Sequence, residues 1–134
     1  EEASPGYYAV KLLDDDVDVE LTTTEFVGFH RYTFNKPAKE NHIVLNLGFS
    51  INRGKPVKTY LEQISDNQFV GYRFTDGWGG EHKVFFALEF QDTPVKFRTF
   101  NVENNPSKNS FEGKGVQEVF TFDGTKTTTI IFKV

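Results

Sequence analysis

Side chains between Val17 and Phe34 alternate with a period of two, and this alternation limits the fold more than any other feature of the chain. Val17, Val19, Leu21 and Thr23 are apolar or small, whereas Asp18, Glu20, Thr22 and Thr24 between them are polar. Successive side chains of a strand point to opposite faces, so such a run offers one face to a core and the other to water. Beyond a turn near Gly28, His30, Tyr32 and Phe34 share one face of a second strand, while Phe29, Arg31 and Thr33 share the other. Both faces carry bulk, as expected inside a layered β structure and not at a wet edge.

The same style continues along the chain. Tyr7 to Leu13 predicts a strand, stopped by Asp14-Asp15-Asp16. That acidic run lacks the spaced carboxylates, central glycine and distal Glu of an EF-hand loop, so it reads as a solvated turn and not as a calcium site. Pro37, with no N–H to offer a ladder, breaks the pattern after Phe34. Ile43, Leu45 and Leu47 then alternate with His42, Val44 and Asn46, residues 48–56 carry no clear pattern, and Lys58 to Ile64 fits a strand or a short helix, its neighbours favouring the strand. Asp66-Asn67 marks a turn before a strand over Gln68 to Thr75. Asp76-Gly77-Trp78-Gly79-Gly80 is a glycine-rich turn carrying the single Trp, and Lys83 to Phe90 is dense enough in apolar residues to predict a central strand buried on both faces. Val95 to Val102 forms the next strand, and Glu103 to Gly115 reads as a long polar loop facing solvent or a partner domain. Val116 to Phe122 and Thr125 to Val134 read as a hairpin closed by Asp123-Gly124, a favoured two-residue turn. Short strands between turn signals, with no helical period, predict an all-β antiparallel sandwich forming one domain over residues 1–134.

Composition supports that class and removes several functions. Fifteen Phe, five Tyr and one Trp favour strands over helices, and a chain of this length buries roughly two-thirds of its unfolded surface. The net charge of -4 is spread over both signs, leaving no basic face for nucleic acid or anionic lipid. With no Cys there are no disulfides, thiolate metal sites or cysteine nucleophiles, and no apolar run reaches membrane-spanning length. The opening Glu1-Glu2-Ala3-Ser4-Pro5 has neither the basic nor the apolar region of a signal peptide, which is expected to have been removed or never included.

Residues that could carry chemistry are sparse. Nineteen acidic residues guarantee carboxylate pairs somewhere, so their presence decides nothing about glycoside hydrolysis, which needs two carboxyls about 5 Å or roughly 6.5 to 9.5 Å apart. No nucleophile elbow, phosphate loop or paired-histidine motif occurs, and His30, His42 and His82 are far apart in sequence. His30, on one face with Tyr32 and Phe34, is expected to be a core histidine with its hydrogen bonds satisfied, the alternative being a ligand. Arg31, on the opposite face, is expected to pair with a strand carboxylate such as Glu20. Trp78 is a candidate either for the platform under the apolar face of a sugar ring or for an anchor on a partner domain.

Three motifs carry a family resemblance. Pro5-Gly6-Tyr7-Tyr8-Ala9-Val10, then Glu20-Leu21-Thr22-Thr23-Thr24, then Gly28-x-His30-Arg31-Tyr32-Thr33-Phe34 together resemble the N-terminal β-sandwich domain of the bacterial α-mannosidases of glycoside hydrolase family 92. Gly77-Trp78 followed by Val84 to Phe90 is similar to a later turn and aromatic strand of that domain. One departure is that the family's proline directly after the Arg-Tyr-Thr-Phe run is delayed here to Pro37 by Asn35 and Lys36.

The resemblance implies a supersandwich of the galactose-mutarotase-like kind that precedes an (α/α)6 catalytic barrel in the same polypeptide. It implies calcium-dependent, inverting exo-α-mannosidases whose acid, base and calcium ligands lie in the barrel, and a periplasmic, cell-surface or secreted location. The chain is then expected to be an incomplete N-terminal domain, without the glycine-rich opening segment and inactive alone. It is expected to support the barrel and shape a site for mannose-containing glycans, with no catalytic residue, metal or cofactor of its own. The rival expectation is a stand-alone carbohydrate-binding or adhesion module. Open sheet edges are expected to drive self-association, and the barrel-facing surface to show an exposed apolar patch.

Overall fold

The structure, a computed structural model, describes residues 1–134 apart from Asn52, Arg53 and Trp78. Among the described residues there are twelve strands and no helix: β1 (Glu2–Ser4), β2 (Tyr7–Leu12), β3 (Val17–Thr23), β4 (Gly28–Phe34), β5 (Glu40–Asn46), β6 (Lys55–Gln63), β7 (Gln68–Gly77), β8 (Gly80–Phe90), β9 (Lys96–Phe100), β10 (Ser110–Gly113), β11 (Gln117–Asp123) and β12 (Thr129–Lys133). They form a large antiparallel sheet in the order β1-β2-β3-β4-β12-β8-β7-β6-β10 and a small one in the order β5-β11-β9.

The two sheets meet through aromatic rings. Phe69 of β7 and Phe90 of β8 face Phe120 of β11, each with ring centroids 4.8 Å apart. Phe97 of β9 packs edge-on against Phe69, and Phe122 against Phe90. Leu47, Leu61, Leu88, Val116, Ile130 and Phe132 complete the buried cluster. Edge-to-face pairs of this kind add about 0.5–1.5 kcal/mol each beyond the area they bury. The chain is thus an all-β sandwich, with the small sheet lying over β12, β8 and β7.

The hairpin that dominates the sequence forms as β3 and β4, with Glu20 opposite Arg31 and Val19 opposite Tyr32. Val17 and Val19 are buried, as their phase requires. The acidic run is a turn in which Asp16 takes the left-handed conformation, φ 56°, which Asp tolerates, and meets Lys11 at 2.7 Å.

Four expectations need correction. Val116–Phe122 and Thr125–Val134 do not make a hairpin: β11 pairs with β5 and β9, whereas β12 pairs with β4 and β8, so the chain crosses between sheets after Asp123. The Asp-Gly pair serves that crossing. Asp123 O accepts from Thr127 N at 2.8 Å and Asp123 Oδ1 from Thr125 N at 3.0 Å, while Gly124 N donates to Lys39 O at 3.0 Å. A two-residue primed turn needs positive φ at its centre, and Gly124 does not take one. Second, β8 is central but not buried throughout: Leu88 and Phe90 are sealed, yet Val84 is 58% and Phe85 69% exposed. The long β7–β8 hairpin runs to Gly77 opposite Gly80, and these two residues lie on its distal half. Third, the polar stretch 103–115 contains β10, which pairs with β6. Fourth, Glu2–Ser4, not read as a strand, pairs with β2.

Candidate functional site

The hairpin places its two polar and aromatic sets on opposite faces of the large sheet. On the outer face the antiparallel register sets Glu20 between Ala9 and Arg31. Arg31 donates from Nε and Nη2 to the two oxygens of Glu20 at 2.5 Å, and Tyr7 donates its hydroxyl to Glu20 Oε1 at 3.0 Å. These donors, Arg31 first, hold the Glu20 carboxyl below its ordinary range, and the hydrogen bond to that carboxylate pushes the Tyr7 phenol up. With Thr22, Phe29 and Ile131 they line a cleft of about 230 Å³.

On the inner face His30 stacks on Phe132 with ring centroids 4.6 Å apart, and Tyr32 stacks on the same ring at 5.7 Å. His30 Nδ1 lies 3.4 Å from the Tyr32 hydroxyl. Burial lowers the affinity of His30 for a proton and raises that of the Tyr32 phenolate, so both groups are neutral at pH 7. The His-Arg-Tyr motif is therefore split: Arg31 belongs to a surface ion pair, His30 and Tyr32 to a stacked, half-buried layer. Trp78 lies outside the described residues.

The three histidines stay apart. His42 on β5 sets Nδ1 3.1 Å from Thr121 Oγ1, and His82 lies on β8 opposite Thr75. Among the described residues no group of three His, Cys, Asp or Glu side chains could hold a metal ion. Three further accessible carboxylates are paired with cations: Glu40 with Lys96 at 2.7 Å, Glu112 with Lys58 at 2.9 Å and Glu89 with Lys133 at 3.2 Å. Each is held below the usual carboxylate range, Glu40 and Glu112 chiefly by these partners and Glu89 first by the Gln68 amide.

One titratable group escaped the reading of the sequence. Glu118 on β11 is 1% exposed and burial pushes its carboxyl up to about 7. The signal was present, since Glu118 shares its phase with the core residues Val116, Phe120 and Phe122. Sealed from solvent, it has no route to a substrate.

A row of rings marks the outer face of the other half of the large sheet. Tyr60 stacks on Tyr72 at 5.1 Å and Tyr72 on Phe74 at 4.5 Å, with Phe85 edge-on to both Tyr72 and Phe74. Lys58 and Lys83 lie over Tyr72 and Phe74, and Tyr72 donates its hydroxyl to Glu112 at 3.2 Å. Rings stacked on one another turn mainly their edges outward, and Phe85 is the one most open to solvent.

Comparison with known proteins agrees with this architecture. The glycosyl hydrolase family 92 N-terminal domain matches residues 1–134. No curated protein matches. Among solved structures, a family GH92 alpha-mannosidase from Bacteroides thetaiotaomicron in complex with mannoimidazole is similar with a TM-score of 0.86 at 26% identity, covering 99% of this chain and 18% of that one. A second GH92 family glycosyl hydrolase gives a TM-score of 0.81 at 16% identity over 99% of this chain and 19% of its own. A family GH92 inverting mannosidase from Bacteroides thetaiotaomicron VPI-5482 gives 0.76 at 14% over 99% and 17%; these last two likenesses show the fold. The chain spans less than a fifth of the length of each, and by the match of the family's N-terminal domain along all of its residues it belongs to glycosyl hydrolase family 92.

Proposed function

We propose that the chain is a non-catalytic part of a bacterial α-mannosidase, where it supports an (α/α)6 catalytic domain of the same polypeptide and helps shape the pocket for a mannose-containing glycan. The observation that carries this reading is the coverage: 99% of the chain matches a mannosidase of which it spans only 18%. The electrostatics fit. A glycosidase acid needs a carboxyl whose proton affinity is raised beside the scissile bond. Here the accessible ion-paired carboxylates are held ionised, and the carboxyl with raised affinity, Glu118, is sealed. The described residues do not fit a calcium site either, so the calcium implied by the family would be held by other parts of the longer polypeptide. A periplasmic or surface location belongs to the same reading and rests on the family resemblance.

The test is an assay of the purified 134-residue chain with α-linked mannobiose in calcium-containing buffer. No mannose should appear, and sustained release would overturn the reading. The exposed Phe85 beside Tyr72 and Phe74 favours a second reading, a glycan-binding module. Amide NMR during the same titration separates the two. Peaks of β7 and β8 that stay still fit a supporting domain, and peaks that move at millimolar sugar fit a module.

A further inference from the structure

The four sheet edges are unequally protected. β1 is three residues long. β10 has its outer side occupied, because Glu112 exchanges hydrogen bonds with Asn104 and also accepts from Glu103 N. In the small sheet, the bonds from Leu47 N to Val116 O and from Gly124 N to Lys39 O fix the phase of the ladder. Odd-numbered residues of β5 therefore bond to β11, and the main-chain groups of Glu40, His42, Val44 and Asn46 point the other way. The same phase leaves only Phe97 and Thr99 pointing outward on β9. β5 is thus open along its whole length, as is β8 before Glu89 on the side away from β7, and β5 contains no proline, bulge or inward lysine to blunt it.

Beside this edge lies a cleft of about 460 Å³, floored by Leu12, Val17, Tyr32 and Phe34 and walled by Ile43 and Val44. It exists because the large sheet continues past β12 through β4, β3 and β2, whereas the small sheet stops at β5. A strand bonded to β5 would lie about 4.8 Å further out and set its alternate side chains against that floor. The edge borders that cleft beneath β2–β4, which has room for one extended segment. A segment continuous with this chain is a ready source of such an occupant, since the matched mannosidase chain is more than four-fifths outside the matched part.

We propose that β5 pairs with a further β-strand contributed by the remainder of the polypeptide, whose apolar side chains fill the cleft over Val17, Tyr32 and Phe34. This rests on reading the chain as part of a longer mannosidase, but it is tested without any assay of activity.

Hydrogen exchange on the intact polypeptide reads it directly. The amides of His42, Val44 and Asn46 should exchange at least a hundredfold more slowly than unstructured ones, and exchange within tenfold of the unstructured rate would overturn the proposal. Slow exchange that appears only as concentration rises would assign the edge to a second copy and overturn it too. A pair of variants distinguishes pairing from mere cover. Val44→Pro removes an outward N–H and leaves the β11 ladder untouched, whereas Val44→Ala trims only an exposed side chain. Val44→Pro should lower the melting temperature of the intact polypeptide by several degrees more than Val44→Ala, and equal melting would refute the pairing. If Val44→Pro does not accumulate folded, the exchange result decides alone.

Discussion

Thr99 donates its hydroxyl to Glu118 Oε2 across the β9–β11 pair at 2.7 Å, and Glu118 Oε1 has no partner among the described residues. Burial raises this carboxyl from 4.5 to about 7, against the smaller opposing effect of Thr99. The folded state therefore binds the proton more tightly than the unfolded one. Its contribution to stability is full below pH 4.5 and is lost as pH rises through about 7. The upper bound on that loss is about 3 kcal/mol. Glu118→Gln should flatten this dependence and be more stable than the parent above pH 7, as read by urea unfolding at a series of pH values. Parallel curves for the two proteins would contradict the assignment.

His30 titrates in the opposite sense. Burial lowers its affinity for a proton below the ordinary 6.5, so the unfolded state takes up a proton first and stability falls as pH drops below that value. An NMR titration of the imidazole should show it neutral at pH 7 and its midpoint displaced to acid. A midpoint above 6.5 would mean a carboxylate reaches the ring.

The ion pair on the outer face makes a different prediction. Arg31→Gln should move the titration of Glu20 back toward the ordinary carboxylate range, with Tyr7 alone left to hold it down. The shift should shrink in molar salt, because both side chains face water. A Glu20 midpoint unmoved by the substitution would show that the pair does not persist in solution.

Packing predictions separate the sealed and open parts of β8. Phe90→Ala should cost about 3–5 kcal/mol, because the ring is 1% exposed among Phe69, Phe120, Phe122 and Phe132. Phe85→Ala in the isolated chain should lie within about 0.5 kcal/mol of the parent. Denaturant midpoints check both, and a costly Phe85→Ala would show that the ring is covered in solution.

Gly71 gives the sharpest steric test. A Cβ there would meet Tyr60 O on β6 and would lie 2.6 Å from Phe86 Cζ on β8, so backbone and ring would both have to give way. Gly71→Ala should cost at least about 1–3 kcal/mol, whereas Gly6→Ala meets no neighbouring atom and is strained only by its φ of 79°. Equal destabilisation would show that the β6–β8 layer relaxes freely.

The strands themselves were legible because period two survives wherever one face is sealed: Val17 and Val19, and Phe120 and Phe122, keep phase with the core. The Arg31–Glu20 pair followed from the same phase once the turn was placed. Partner choice was not legible. Asp123-Gly124 has the composition of a tight hairpin, but the crossing to the other sheet is decided by Phe122 seating on Phe90 and Phe132 on His30, contacts between residues far apart in sequence. The exposure of half of β8 is hidden for a related reason: apolar density shows that a segment avoids water, not which neighbour covers it. His30 and Arg31 were placed on opposite faces by their spacing, yet nothing in the spacing could show Phe132 between His30 and Tyr32.

The position of β12 also sets the order in which this fold can be made. It pairs Ile130 with Tyr32 on one side and Phe132 with Phe90 on the other, joining the meander β1–β4 to the meander of β6–β8. Closing a loop of roughly a hundred residues costs entropy before the β12–β4 pairing repays it, so this pairing is disfavoured until the local hairpins of the two meanders have formed. On the ribosome, both meanders leave the exit tunnel with an unpaired inner strand, β4 and β8. The strand that joins them, β12, is the last of the twelve to emerge.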